Sequence, residues 1–234
     1  MNSNSMTPVS LTSNSVGGVT TAQRNRVLRN TYWLLALSMV PTVLGAWLGV
    51  ATGLASAMSP GISLVVFLAG AFAFMFAIEK TKDSAAGVPV LLGFTFFMGL
   101  MLSRLVGQVL GLANGANLVM FAFVGTGAIF LGMAALSSVI KRDLSSMGKF
   151  LFIGALMLLV AGIANFFIQS SALMITLSVL AIGIFSAFIL YDLKRVQDGS
   201  ETNYISATLG VYLSIYNVFQ SLLAVLGLTS GRDE

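Results

Sequence analysis

The chain is dominated by long apolar runs that are separated by short polar connections. Each run is about 20 residues long, which is the length of α-helix that crosses a hydrocarbon core of about 30 Å. The strands of a membrane barrel would instead alternate apolar and polar positions over about 10 residues. Because the bilayer offers no water to backbone polar groups, the continuous runs predict helices. The predicted spans are residues 31–54, 62–78, 88–111, 118–140, 150–168, 172–191 and 204–228.

A polar segment of different composition precedes the first apolar run. Residues 1–23 are rich in Ser, Thr, Asn and Gly and carry no ionisable side chain. Such a segment cannot bury enough apolar surface to offset the entropy lost when a chain becomes ordered. It is therefore predicted to be a flexible tail, followed by one transmembrane domain over residues 24–230.

The positively charged residues predict the orientation of the spans. The connections at 56–61, 111–117 and 169–171 contain no Lys or Arg, whereas every alternate connection does. Cytoplasmic loops collect Lys and Arg, so the N-terminus is predicted to be cytoplasmic and the C-terminus to lie on the far side, which requires an odd number of spans. The residues on the predicted cytoplasmic side are Arg24, Arg26, Arg29, Lys80, Lys82, Lys141, Arg142, Lys149, Lys194 and Arg195.

Composition narrows the possible chemistry. The chain is 9% charged and 57% apolar, with a mean hydropathy of +0.94, whereas a soluble domain is roughly a quarter charged. It contains no His and no Cys, which excludes disulfides, Cys or His zinc sites and nucleophile pairs that need a His base. We expect no enzyme, cofactor or metal site, and the net charge of +4 indicates membrane orientation rather than nucleic-acid binding.

The last span is the most polar of the seven. On a helix that turns about 100° per residue, one arc of about 80° collects small and polar residues, and Tyr212, Tyr216 and Gln220 lie on another side. Such a helix is predicted to face the interior of the bundle. Two interpretations stay open, interhelical packing contacts or a polar path with a gate. The residues of the arc are Asn203, Ser206, Gly210, Ser214, Asn217 and Ser221.

Two charged residues lie at the edge of a span or within one. Asp192 closes the predicted sixth span, where a carboxylate at the interface and a gate or proton-linked role both fit. Arg104 lies about two turns from the outer end of the third span. Its aliphatic stem is predicted to carry the guanidinium to the interface by snorkelling.

Three stretches give the chain a resemblance to the Bax inhibitor family of membrane proteins, in particular to its bacterial YccA-like branch. The first lies at residues 26–32, and the second combines Gly99 and Leu100 with Leu102 and Ser103. The most specific is the sequence Gly-Ser-Glu-Thr-Asn-Tyr-Ile at 199–205, followed by Tyr-Leu-Ser-Ile-Tyr-Asn-Val-Phe at 212–219. The resemblance extends over residues 26–228.

This resemblance implies a fold in which six helices surround a central seventh. It implies a non-enzymatic protein that associates with, and restrains, the membrane-bound ATP-dependent protease FtsH and its membrane scaffold proteins in the bacterial inner membrane. The alternative it implies is a pH-sensitive calcium or proton leak channel, gated by two aspartates at the cytoplasmic ends of the sixth and seventh helices.

The sequence departs from the pattern of that leak channel. Asp192 matches the first aspartate, but Ser214 occupies the position of the second. Two close carboxylates form a proton sensor, and Ca²⁺ takes about 6–8 oxygen ligands. One carboxylate beside a hydroxyl therefore favours the protease regulator over the leak.

The tail suggests how a protease could engage the protein. An ATP-driven unfoldase needs an unstructured end to grip, and the composition of the tail disfavours folding. The predicted protease handle comprises Met1, Asn2, Ser3, Asn4 and Ser5.

Overall fold

The computed structural model describes residues 20–231, apart from the side chain of Ala55, and all the regular structure in them is helical. Seven of the eight helices are long and apolar enough to cross a membrane, which confirms the predicted all-α fold with seven spans. The short α2 was not predicted. The helices are α1 (Thr21–Thr52), α2 (Leu54–Ala57), α3 (Pro60–Thr81), α4 (Gly87–Leu110), α5 (Gly115–Val139), α6 (Met147–Ile168), α7 (Ser171–Asp198) and α8 (Tyr204–Ser230).

Two helices extend beyond the predicted spans. Helix α1 begins at Thr21, inside the predicted tail, and the side chain of Thr20 caps it by accepting a hydrogen bond from the Gln23 amide. Helix α7 continues to Asp198 rather than ending at residue 191. Residues 1–19 and 232–234 lie outside the described residues, and so does the predicted protease handle at residues 1–5.

Helix ends follow from local chemistry. Ser59 accepts a hydrogen bond from the Ile62 amide, and Pro60 occupies the first position of α3, where its missing N–H is not needed. Ser170 caps α7 in the same way, and Gly199 ends that helix with a φ of 80°, a conformation that favours glycine. Because these caps satisfy the backbone groups at the helix ends, short connections are enough to reverse the chain between successive helices.

Helix α8 lies at the centre of the bundle. It packs against α1, α3, α4, α5 and α7, while α6 has its main contact with α7. Within α8 only Thr229 is exposed. The most polar span thus lies inside the bundle, as the pattern of its residues predicted, but five of the other spans surround it and α6 packs outside them against α7.

The outer faces of α3 and α6 are apolar and uncovered. Phe72 on α3 is 63% exposed, and Phe150 and Phe167 on α6 are 75% and 77% exposed. Surfaces of this size and polarity are suited to lipid rather than to water. Together with the seven long apolar helices, they identify a multi-pass membrane protein.

Helices α1 and α4 approach each other at backbone distance. A Cβ atom on Gly45 would overlap the carbonyl oxygen of Phe96, and one on Gly99 would overlap the carbonyl oxygen of Thr42. A third contact places Gly49 against the Ser103 side chain. Small residues permit this close packing, which supplies much of the attraction between helices in a bilayer.

Candidate functional site

The candidate site lies where the end of α7 meets the start of α8, on the side of the bundle that carries most of the Lys and Arg residues. We call this the cationic side. The amides of Ser200 and Glu201 both donate to the carbonyl oxygen of Arg195, which folds the connection back over the end of α7. Leu193 and Val196 are fully buried beyond the predicted end of the span, so packing extends the helix past the apolar run. The site is therefore built on a rigid helix end.

Asp192 lies against the central helix at a glycine. A Cβ atom on Gly210 would lie 2.9 Å from Oδ2 of Asp192, so the glycine makes room for the carboxylate. The Asp192 side chain is 13% exposed, and its nearest cation is Nη1 of Arg195, at 4.0 Å. The carboxylate is thus nearly buried and only weakly paired.

The other ion pairs near the site join neighbours along the chain. Each of these pairs has one solvent-exposed member, so water weakens the attraction between its charges. The hydrogen bond from the Lys82 ammonium to Glu79 raises the pKa of Lys82. The pairs are Lys194 with Asp198 at 2.9 Å, Arg195 with Glu201 at 3.4 Å, and Lys82 with Glu79.

Asn203 connects this site to the connection between α3 and α4. Its Oδ1 accepts from the amides of Ile205 and Ser206, at 2.9 and 3.1 Å, and so caps α8. Its Nδ2 donates to the Lys82 carbonyl oxygen at 3.1 Å and to Asp83 Oδ1 at 2.8 Å. One side chain thereby fixes both the start of the central helix and its position against a neighbouring connection.

The residues predicted for a polar path are arranged differently. Ser214 is buried, and its hydroxyl donates to the Gly210 carbonyl oxygen, while Nδ2 of Asn217 donates to the Leu213 carbonyl oxygen. Both bonds stay within α8. Ser221 is buried and Ser206 is partly buried. The structure brings Asp192 next to Gly210, one turn before Ser214.

Tyrosines on the other side of α8 make hydrogen bonds to neighbouring helices. The Tyr212 hydroxyl lies 2.9 Å from Thr42 Oγ1 and donates to the Thr95 carbonyl oxygen at 3.4 Å. The Tyr216 hydroxyl donates to the Met98 carbonyl oxygen at 3.4 Å. A tyrosine hydroxyl inside a bundle needs a hydrogen-bond partner. The two tyrosines in the sequence of this span could therefore have predicted these contacts.

Comparison with known proteins places this architecture in a family. A family model described as inhibitor of apoptosis-promoting Bax1 matches residues 24–231. The chain belongs to this family. The predicted resemblance to Bax inhibitor proteins is therefore confirmed.

Several bacterial relatives of this Bax inhibitor family member align along nearly their whole length. The Escherichia coli K12 protein named modulator of FtsH protease YccA is 34% identical over 89% of this chain and 92% of its own. A Vibrio cholerae protein named uncharacterized membrane protein is 37% identical over 91% of this chain and 94% of its own. A Neisseria meningitidis serogroup B protein is 38% identical over 91% of this chain and 95% of its own. The YccA-like branch is thereby confirmed.

For this Bax inhibitor family member, the calcium or proton leak stays a prediction. Residues 20–231 contain no group of three or more His, Cys, Asp or Glu that could hold a metal ion. The Ser214 hydroxyl is hydrogen-bonded within its own helix. Arg195 contacts both Asp192 and Glu201, so the second carboxylate near Asp192 comes from the connection between α7 and α8 and not from α8 itself.

Proposed function

We propose that this protein is a non-enzymatic regulator of the membrane-bound ATP-dependent protease FtsH in the bacterial inner membrane. The observation that carries the proposal is the similarity to the E. coli K12 protein named modulator of FtsH protease, which extends over 92% of that protein. The distribution of Lys and Arg supports an N-terminus in the cytoplasm and a C-terminus in the periplasm. A related E. coli protein is named inner membrane protein YccA.

The chemistry of the site supports regulation by binding rather than catalysis. Asp192 is held against Gly210, with no His or Cys anywhere in the chain to act as its partner. The exposed apolar faces of α3 and α6 offer surfaces on which the transmembrane helices of a protease complex can pack. Regulation would then act through lateral association in the bilayer.

Affinity purification tests this proposal. We expect the tagged full-length protein, produced in E. coli cells that lack YccA and solubilised in a mild detergent, to recover FtsH and its membrane scaffold proteins. The turnover of a membrane substrate of FtsH should also slow when the protein is produced. The measurements are quantitative mass spectrometry of the eluate and the half-life of the substrate.

An unrelated seven-span protein with the same tag and expression level serves as the control. It should recover neither the protease nor its scaffold and should leave the half-life of the substrate unchanged. Equal recovery with both proteins, or an unchanged half-life despite specific recovery, would contradict a regulatory role.

The tail provides a separate prediction about the fate of this protein itself. We expect deletion of residues 2–19 to lengthen its half-life in cells that contain FtsH, because the deletion removes the predicted protease handle. The deletion leaves Thr20, which caps α1. A pulse-chase experiment measures the half-life.

A Gly-Ser segment of equal length is the matched control for the deletion. It should restore degradation, because a handle depends on the lack of folding rather than on a particular sequence. A half-life that is the same with and without the tail would refute the handle and leave the regulatory proposal intact.

A further inference from the structure

A cavity of about 190 Å³ lies between α3, α4 and α8, away from the candidate site. It is close to the start of α3 and the end of α4, and therefore on the side of the membrane opposite to the cationic side. Its polar lining comes from Ser63, Arg104, Tyr216 and Gln220, and the remaining walls are apolar. The cavity thus combines one cation with an apolar surround.

The hydrogen bonds of Arg104 leave one edge of its guanidinium available. Nη1 donates to the Met58 carbonyl oxygen at 3.3 Å and to Ser63 Oγ at 3.1 Å. An arginine has five N–H donors, and Nη1 supplies two of them. Within residues 20–231, Nε and Nη2 have no protein acceptor, and no carboxylate lies within 4.0 Å of Arg104. The Arg104 guanidinium is thus held near the start of α3 through one nitrogen, Nη1.

The available edge has the geometry that recognises a phosphate. Nε–H and an Nη2–H point in parallel, and such a fork binds two oxygens of one phosphate group. A cation in a membrane span is costly unless a counter-charge or water accompanies it. A phosphate group at this edge would supply both the charge and the acceptors.

The size of the cavity and its surroundings indicate what carries the phosphate. At about 30 Å³ per water molecule, the cavity holds about six waters, which is less than the 300–1,000 Å³ of a typical drug-sized ligand site. Room of this size suits a headgroup, with Gln220 and Ser63 available to hydroxyl groups. The apolar walls of the cavity come from partly buried side chains, Leu64 and Phe67 of α3 and Met101 and Leu105 of α4, and they offer an apolar surface to acyl chains.

We propose that the Arg104 cavity binds the phosphate group of an anionic phospholipid from the leaflet opposite to the cationic side. The phosphate accepts hydrogen bonds from Nε and Nη2 of Arg104, and the acyl chains lie along α3. A free phosphate ion shares the charged group but lacks the chains, so the two sources can be distinguished.

Native mass spectrometry of the detergent-solubilised full-length protein tests the site. Titration with phosphatidylglycerol should give a one-to-one adduct, and Arg104→Gln should weaken its binding by about tenfold or more, because a charge-assisted bidentate contact is lost. Arg104→Lys keeps the charge without the fork and should bind with an intermediate affinity. The matched control is Lys149→Gln, which removes an exposed cation on the cationic side and should leave this binding unchanged.

Each comparison can overturn the proposal. Unchanged phosphatidylglycerol binding in both Arg104→Gln and Arg104→Lys would remove the site, provided that both variants elute as folded monodisperse protein. If Arg104→Gln does not fold, the affinity of Arg104→Lys for phosphatidylglycerol decides the result. Equal binding of phosphatidylcholine would contradict selection for a net negative lipid. Equal binding of inorganic phosphate would replace the lipid by a soluble anion.

Discussion

Replacing Gly99 by alanine is expected to destabilise the protein strongly. The new Cβ would overlap the Thr42 carbonyl oxygen, which is backbone and cannot rotate away. Helices α1 and α4 would therefore have to separate along a contact that extends through Gly45 and Gly49. Overpacking of this kind costs about 3 kcal/mol or more.

The melting temperature of the detergent-solubilised protein measures this effect. At about 2–4 °C per kcal/mol, Gly99→Ala should lower it by about 6–12 °C or prevent recovery of folded protein. Gly107→Ala is the matched control on the same helix, because its nearest neighbour would be the Val50 side chain at 3.9 Å, an ordinary contact. Equal melting temperatures for the two variants would show that α1 and α4 do not pack backbone to backbone.

Replacing Asn203 is also expected to destabilise the protein, because this residue combines two structural roles. Asn203→Ala removes the N-cap of α8, which is worth about 1 kcal/mol, and the two hydrogen bonds to Lys82 and Asp83, worth about 1 kcal/mol together. The sum of about 2 kcal/mol should lower the melting temperature by about 4–8 °C.

Asn203→Asp separates the two roles of this side chain. Aspartate caps a helix as well as asparagine does, so the cap is kept, but its second oxygen would face the Lys82 carbonyl and the Asp83 carboxylate. We expect a loss similar to that of Asn203→Ala, relieved when Asp83→Asn restores a donor between the two residues. Thr202→Ala, at an exposed neighbouring position, is the control. If Asn203→Asp is as stable as the original chain, the contact with Asp83 does not hold α8 in place.

The lengths of the helices show where hydropathy is a sufficient guide and where it is not. The apolar run predicted at 88–111 matches α4 at Gly87–Leu110, because the bilayer itself sets this length. The predicted sixth span stops at residue 191, whereas α7 reaches Asp198. Leu193 and Val196 are buried there by neighbouring elements, and a hydropathy pattern cannot report contacts with residues that are distant along the chain.

The arrangement of the candidate site shows the same limit. The residue pattern predicted correctly that the polar last span is covered by other helices, since its Ser and Asn side chains disfavour lipid. The contact of Asp192 with Gly210 and the hydrogen bonds of Arg104 to Met58 and Ser63 each join residues that are distant along the chain. Their relative height and rotation in the bundle follow from packing and not from the spacing along one helix.

The sequence by itself determined that the chain is helical and crosses the membrane seven times, and it predicted the side to which the charged connections belong. These properties depend on the transfer of each segment between water and lipid, which is a local quantity. Only the tertiary structure decided which carboxylate meets which glycine and which edge of Arg104 has no protein partner among residues 20–231. Those features depend on contacts between helices, where a carbonyl oxygen or a missing Cβ fixes the distance of approach.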